Sequence, residues 1–315
     1  MPINHGEFVW FDGRMVRWQD ATVHVATHAL HYGSSVFEGV RAYQLKDGST
    51  AIFRLTEHMQ RMINSCKLAR MNMPFTLEQL NEAMVNVVGS NGQPSCYIRP
   101  LAFRAMEALG LDGRSCPTSV VIFSFAWGTY LGAEALENGI DAMISSWRRI
   151  SPESNSNMAK IGGQYINSSF ATMEARELGY QEAIMLDHSG NISEGSGENL
   201  FIISNGILIT PPLASSILGG ITRDSVMQIA DDLGIPVREQ VLTRDMLYLA
   251  DELFMTGTAA EVTPVRSVDR VTVGSGTRGE VTRAIQERFF AIVHGEVEDR
   301  HGWLTRVPMK APAQG

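Results

Sequence analysis

Lys160 stands in the string NSNMAKIGGQYINSS, flanked by small, uncharged residues and with no carboxylate within several positions along the chain. Of the 26 lysines and arginines only four are lysine: Lys46, Lys67, Lys160 and Lys310. Lysine differs from arginine in that its amine can lose its proton and attack a carbonyl. An amine withdrawn from water holds its charge less readily than one in solvent. The neutral amine is a nucleophile capable of Schiff-base chemistry. A loop lysine with its head in solvent fits the same string, so Lys160 alone decides nothing. Tyr165, five positions on, offers a phenol that could bond a ring hydroxyl beside such a Schiff base; it equally fits an ordinary tyrosine at a helix start.

Three further strings add to this. In ISEGSGENLF, Glu194 lies among turn glycines, with Glu198 four residues on. A carboxylate there could keep a pyridine nitrogen protonated, the condition that makes a pyridoxal ring an electron sink. In ILGGITRD, Gly219 and Gly220 run into a helix that begins Ile221, Thr222, Arg223. The N–H groups and positive dipole end of that helix make an anion site, with the Thr222 hydroxyl as a further donor. MTGTAAE supplies a second small-residue turn, with Thr256, Gly257, Thr258 and Ala259. Arg61, on the helix of EHMQRM, is a charged partner for a phosphate. Singly, these also read as solvated turn residues, a capped helix and a surface charge.

The elements that must position these residues follow from periodicity and punctuation. FVWFDGRMVRW is two alternating runs joined by Asp12-Gly13, a hairpin signal. SSVFEGVRAY and STAIFRL are strands. TEHMQRMINSCKLARM is a helix capped by Thr56, with Met59, Met62, Ile63, Cys66 and Ala69 on one buried face. TLEQLNEAMVNVV repeats the helical pattern, and SCYIRPLAF and TSVVIFSFAW return to strand. GTYLGAEALENG (128–139) reads as a connector. IDAMISSW is a strand, the Lys160 segment a loop, and YINSSFATMEAREL a helix stopped by Gly179. QEAIMLD, NLFIIS and GILITPP are short strands. TRDSVMQIADDLG is a helix ended by Gly234, ELFMTGTAAEVTPV a strand broken at Gly-Thr, and GEVTRAIQERFFAIVHG a closing helix. The domains expected are 1–127, 140–307 after the connector, and a loose tail, 308–315.

At 315 residues, 44% hydrophobic and 19% charged, the balance is that of a globular chain. A net charge of −8 gives no electrostatic case for nucleic acid. No apolar run approaches the roughly 20 residues that cross a bilayer, and MPINHGEFVWFDG lacks a secretory pattern. Cys66, Cys96 and Cys116 are too few and too scattered for a disulfide scaffold or a zinc site. They point to reduced thiols in the cytoplasm.

Read in order, VWFDGRMVRWQDATVHVATHALHYGSSVFEGVRAY, AKIGGQY, YQEAIMLD, SEGSGENLF, GITRD and YLADELFMTGTAAEVTPVRSVD resemble the fold-type IV pyridoxal-phosphate enzymes. Within these the likeness is to the branched-chain amino-acid aminotransferases. The resemblance implies a mixed α/β (α+β) two-domain fold, a smaller N-terminal and a larger C-terminal domain, with pyridoxal 5′-phosphate between them. It implies that Lys160 is Schiff-base partner and proton shuttle, that Tyr165 meets the ring hydroxyl and that Glu194 meets the ring nitrogen. Arg61, Gly220, Ile221, Thr222, Gly257 and Thr258 would form the phosphate cup. The amides of Thr258 and Ala259, with Tyr97, would hold the substrate α-carboxylate. Tyr32, Phe37, Trp127 and Gly39 would shape an aliphatic pocket, and Arg99 and Tyr130 would take the glutamate γ-carboxylate.

Tyr32 and the loop 108–111, with Leu109 and Leu111, look like parts lent to a neighbouring subunit, which implies a homo-oligomer, a dimer or dimer-based hexamer. The partners expected are small amino acids and 2-oxo acids, and no metal, membrane or nucleic acid is implied. The small residues around Lys160 are expected to leave room for a ring and a moving amine. Ile161, Gln164 and Arg104 depart from the usual pattern, with Arg104 placed in the loop before the pocket. Aminodeoxychorismate lyases and D-amino-acid or (R)-amine transaminases share the fold but match the Tyr97/Arg99 pair less well.

Overall fold

The hairpin at Asp12-Gly13 is formed. Strands β1 (Phe8–Phe11) and β2 (Arg14–Arg17) pair Val9 with Val16 and Phe11 with Arg14. The two turn residues take φ of 46° and 92°, the left-handed pair that a type I′ turn needs. The computed structural model describes residues 3–128 and 132–308. They divide into two compact units: 3–128 with 159–163 and 291–308, and 132–158 with 164–290.

The first unit continues with α1 (His28–Tyr32), β3 (Ser35–Phe37), β4 (Val40–Gln44), β5 (Thr50–Phe53), α2 (Leu55–Leu68), α3 (Leu77–Asn91), β6 (Cys96–Arg104) and β7 (Thr118–Phe125). The strand Leu304–Val307, from the far end of the chain, pairs with β5 at the sheet edge. The order across the sheet is Leu304–Val307, β5, β4, β6, β7, β1, β2, with β3 also on β6. Met59, Met62 and Cys66 of α2 and Leu80, Met84 and Val87 of α3 are buried with Val36, Ile52, Ile98 and Ile122 of the sheet. Each large apolar side chain so removed from water contributes about 1.5–3 kcal/mol. The helical face read from the sequence is therefore the core face of α2.

The second unit holds α4 (Ala133–Asn138), β8 (Ile140–Arg148), α5 (Tyr165–Glu177), β9 (Glu182–Leu186), β10 (Ile192–Gly195), β11 (Asn199–Ser204), β12 (Ile207–Thr210), α6 (Ile221–Asp232), β13 (Val237–Glu239), α7 (Arg244–Tyr248), β14 (Glu252–Gly257), β15 (Glu261–Val268) and β16 (Val271–Thr272). The helix α8 (Glu280–Val293) follows. Its sheet runs β10, β9, β8, β15, β14, β11, β12, β13, with β16 on β15. The pairs β8–β9, β15–β8 and β12–β13 are parallel and the rest antiparallel. Ile140, Ile144, Ile184, Leu200, Ile202, Leu253, Met255 and Val265 make its core.

Four local readings are corrected. The helix α2 starts at Leu55, not after a Thr56 cap: Arg54 sits in the left-handed region at φ 52° as the cap residue, and Thr56 Oγ1 accepts a bond from Asn81 instead. The 128–139 connector contains a helix, α4. Glu194 lies in strand β10 rather than in a turn; the turn is the stretch after Gly195. Arg104 ends strand β6, buried, and donates to the carbonyls of Gly113 (2.5 Å) and Arg70 (2.8 Å). The units also cut the chain differently from the expected domains. Residues 159–163 and the Leu304–Val307 strand join the first unit because Ile161 bridges Val36 and the strand pairs with β5. Tyr130 and residues 309–315 of the tail lie outside the described residues.

Candidate active site

Lys160 is held by its backbone. Its N–H donates to Ser65 Oγ on α2 (3.0 Å), and its carbonyl accepts the Phe37 N–H of β3 (3.0 Å). Its Nζ lies 4.9 Å from the centre of the Phe37 ring, which puts the amine against an aromatic face. The glycines beside it let the loop pack closely. Gly163 N–H bonds the Gly33 carbonyl at 3.1 Å, and a Cβ on Gly162 would come within 2.3 Å of Ser35 Oγ. The loop thus presses onto β3, with Ile161 packed against the core. Gln164 Nε2 donates to the Ser156 carbonyl at 3.0 Å, a bond between two residues of the second unit.

Arg61, one turn before Ser65 on α2, is engaged by Glu38: Nε donates to Oε1 (2.6 Å) and Nη2 to Oε2 (2.7 Å). His58 Nδ1–H donates to Glu38 Oε2 at 2.8 Å. Burial alone would push the Glu38 carboxyl up, but the Arg61 charge and the bonds from Arg61 and His58 hold it well below the usual carboxylate range. Burial pushes His58 down, against the pull of Glu38 and in company with the charges of Arg61 and Lys160.

This sets a pH dependence. The unfolded chain takes up the His58 proton as pH falls through about 6.5, while the folded site resists it. The folded state therefore loses stability on acidification from that point. Glu38 adds to the loss below about pH 4.3, where the unfolded carboxyl protonates first. Urea midpoints measured from pH 8 to pH 5 are expected to fall with pH, and His58→Gln to flatten the profile between pH 7 and 5.5. An unchanged profile in that variant would refute the assignment.

Beside Lys160, Arg99 lies over two rings, its guanidinium carbon 4.9 Å from the Phe37 centroid and 5.3 Å from that of Tyr97. Tyr97, Phe125 and Trp127 form a cluster with centroids 5.1–5.3 Å apart. Gly39 is required by close approach: a Cβ there would stand 1.9 Å from Tyr97 Oη. If Tyr97 orients a bound amino acid, as the resemblance implies, Gly39→Ala is expected to displace it and raise KM about tenfold, since misplacement by roughly 1 Å can cost a hundredfold. Cofactor affinity should stay at the wild-type value, and steady-state kinetics with a cofactor titration check both.

In the second unit Gly220 caps α6, whose first residues Ile221 and Thr222 are buried. The Gly-Gly-helix arrangement is thus formed as read. Thr258 and Ala259 lie in the turn joining β14 to β15, and Tyr165 is the first residue of α5, half-buried. Glu194 Oε1 pairs with Arg149 Nη2 at 2.8 Å, and Oε2 accepts from Asn199 Nδ2 and the Leu218 N–H, both at 3.0 Å. Gly220 leaves space for that arrangement, since a Cβ on it would come within 1.8 Å of Asn199 Oδ1. Glu198 closes the turn after Gly195, accepting the Gly197 N–H at 3.0 Å. Glu182 on β9 accepts from Ser196 Oγ at 2.6 Å and steadies the same turn.

Glu38, His58, Ser65, Arg149 and Asn199 are the residues that the sequence did not single out. Glu38 and Asn199 lie inside quoted strings, VFEGVR and SGENLF, but nothing local marks them. The spacing 58, 61, 65 on a single helical face was a usable signal.

Tyr32, Leu109 and Leu111 are exposed within the chain, at 44%, 60% and 90%. Their loop is nonetheless anchored. His28 Nε2–H donates to the Gly110 carbonyl at 2.8 Å, and Arg104 holds Gly113.

The first unit thus holds a lysine amine against an aromatic face, and the second holds a glycine-capped helix N-terminus with a buried threonine and a carboxylate fixed by an arginine. The family model for amino-transferase class IV matches residues 35–268, and the chain belongs to that family. More particularly, it is 53% identical over 98% of its length, and 99% of the relative's, to the branched-chain-amino-acid aminotransferase of Escherichia coli (strain K12). The crystal structure of the Escherichia coli branched-chain amino acid aminotransferase matches with a TM-score of 0.94 over 96% of this chain and 99% of that one. The branched-chain amino acid aminotransferase from Thermobaculum terrenum, in its PLP-bound holo form, is 34% identical, with a TM-score of 0.92 over 97% of this chain and 100% of that one.

Class IV aminotransferases depend on pyridoxal phosphate, and the donor sets here fit it. Gly219, Gly220 and Thr222 at a twelve-residue helix suit the phosphate, Glu194 suits a protonated ring nitrogen, and Lys160 suits the aldehyde. No described helix is long and apolar enough to cross a membrane.

Proposed function

We infer that this chain is a branched-chain amino-acid aminotransferase, moving the amino group of L-leucine, L-isoleucine or L-valine to 2-oxoglutarate, and the reverse, by a ping-pong route. The observation that carries the substrate class is Arg99 lying against the Phe37 and Tyr97 rings. One wall then offers an apolar face to an aliphatic side chain and a guanidinium to a γ-carboxylate. The name shared by the relatives supports the same reading.

Pyridoxal phosphate, when bound, supplies an aldehyde and an electron-withdrawing ring that takes up and returns an amino group. The chain's own residues do the rest. Lys160 Nζ removes the proton from the substrate Cα and delivers it to the carbon that receives the amino group. Arg61, Gly220, Ile221, Thr222, Gly257 and Thr258 would hold the phosphate, Tyr165 would donate to the ring hydroxyl, and Glu194 would keep the ring nitrogen protonated. The Thr258 and Ala259 amides, with Tyr97, orient the α-carboxylate. Phe37, Trp127, Tyr32 and Gly39 fit the aliphatic chain, and Arg99, with Tyr130, the acidic one. A second copy of the chain takes the exposed Tyr32, Leu109 and Leu111, so the working form is a homo-oligomer. Three buried free thiols suit the cytoplasm as its compartment.

A half-reaction screen with L-leucine, D-alanine, aminodeoxychorismate and an aromatic amine, followed by the absorption of the bound cofactor, tests the reading. L-Leucine is expected to shift the band. A response to D-alanine alone would replace this reading with that of a D-amino-acid transaminase.

A further inference from the structure

The cluster behind Lys160 contains three polar residues with no role in the chemistry so far: Glu38, His58 and Ser65. All are buried, Glu38 and Ser65 fully and His58 to within 2%. Burying a carboxylate with an arginine is weak as a stabilising device, because apolar residues of similar volume often do as well. What such a pair supplies is geometry, since a bidentate fork fixes the plane of the guanidinium. Ser65 is similar. A serine inside a helix commonly bonds back to its own turn, whereas here its oxygen accepts the N–H of a loop residue 95 positions away.

The contacts close on themselves. His58, Arg61 and Ser65 occupy one face of α2 at spacings of three and four. His58 and Arg61 bond Glu38. Glu38 is covalently next to Phe37, whose N–H holds the Lys160 carbonyl and whose ring lies by its amine. Lys160 N–H returns to Ser65 on α2. The whole circuit lies in the first unit.

We propose that Glu38, His58 and Ser65 are positioning residues, a closed frame that fixes the Arg61 guanidinium and the Lys160 backbone relative to each other. The proposal rests on the roles given above to Lys160 and Arg61. Glu38 sets the direction in which Arg61 presents its charge to a phosphate. Ser65 keeps the root of the Lys160 side chain in place while its amine works on both carbons. His58, neutral and donating through Nδ1, keeps the second Glu38 oxygen from turning away.

The test compares Glu38→Gln and Ser65→Ala with Asn91→Ala. Asn91 is a clamp elsewhere in the same unit, bonded to Phe8 and Ser124. Apoprotein of each is titrated with pyridoxal phosphate, melted without it, and assayed in the half-reaction with L-leucine. Glu38→Gln is expected to weaken cofactor binding about tenfold or more, the scale on which outer partners of ligating groups act. Ser65→Ala is expected to slow the half-reaction about tenfold at unchanged KM. Asn91→Ala should lower the melting temperature and leave both quantities alone.

If Glu38→Gln does not fold, Glu38→Asp, with its carboxylate set back by one methylene, is titrated in its place with the same expectation. Variants that merely melt earlier, as Asn91→Ala does, with wild-type cofactor affinity and half-reaction rate, would overturn the frame. Full cofactor binding and turnover in Lys160→Ala and Thr222→Ala would instead overturn the functional reading beneath it.

Discussion

Lys160→Ala is expected to reduce transamination about ten-thousandfold or more, because on the role proposed for it the change removes both the nucleophile and the general acid–base from one reaction. That is about 5 kcal/mol of barrier. The fold should survive, since what anchors this loop is backbone: Lys160 N–H to Ser65 and its carbonyl to Phe37 persist in any side chain. The variant should therefore still take up cofactor through the phosphate donors. Borohydride is expected to fix the cofactor covalently to the wild-type chain and to leave it removable by dialysis from the variant. Lys160→Arg separates charge from chemistry. It keeps the cation near the Phe37 ring but cannot lose its proton, so it should be as inactive as Ala. Appreciable turnover in Lys160→Arg would mean that Lys160 serves only as a positive charge.

Much of this was legible because it was local. Asp12-Gly13, the glycines before Ile221 and the apolar spacing of α2 each specify structure within a few residues, and each is formed. The lysine and the helix N-terminus were found by type and neighbours alone. The partners that make them precise were not, because they come from afar. Ser65 reaches Lys160 across 95 positions and Glu38 reaches Arg61 across 23.

Where local signals conflicted with long-range pairing, pairing won. Glycines 195 and 197 suggested a turn around Glu194, yet pairing with Met185 on β9 draws it into a strand with an irregular register after Ile192. Thr56 suggested a cap, yet Arg54 caps the helix, its N–H held by the Trp303 carbonyl at 2.7 Å. That contact comes from the far end of the chain, and no window around Thr56 contains it. The glycines after Lys160 also have a long-range reason that no local window contains: they allow the loop to press on Gly33 and Ser35.

Glu194→Gln is expected to lower kcat about a hundred- to a thousandfold, the loss typical of removing one preorganised electrostatic partner of the reacting group. The geometry makes this nearly isosteric change severe. One oxygen of Glu194 accepts from Arg149 and the other from Asn199 and the Leu218 N–H. A carboxylate satisfies both sets, but an amide has one acceptor and must turn its NH2 toward donors on one side. In either orientation Arg149, largely buried, loses its counter-charge, at a cost of about 3 kcal/mol for breaking such a pair. On the proposed role, an amide at position 194 would not keep the ring nitrogen protonated, so the absorption of the bound cofactor should change along with kcat. Arg149→Gln keeps the carboxylate and removes only its partner, so it should cost about tenfold and leave the band nearer to wild type. The order of the two variants decides the assignment: if Arg149→Gln were the more damaging to kcat, the proton-holding role would pass from Glu194 to the arginine that orients it.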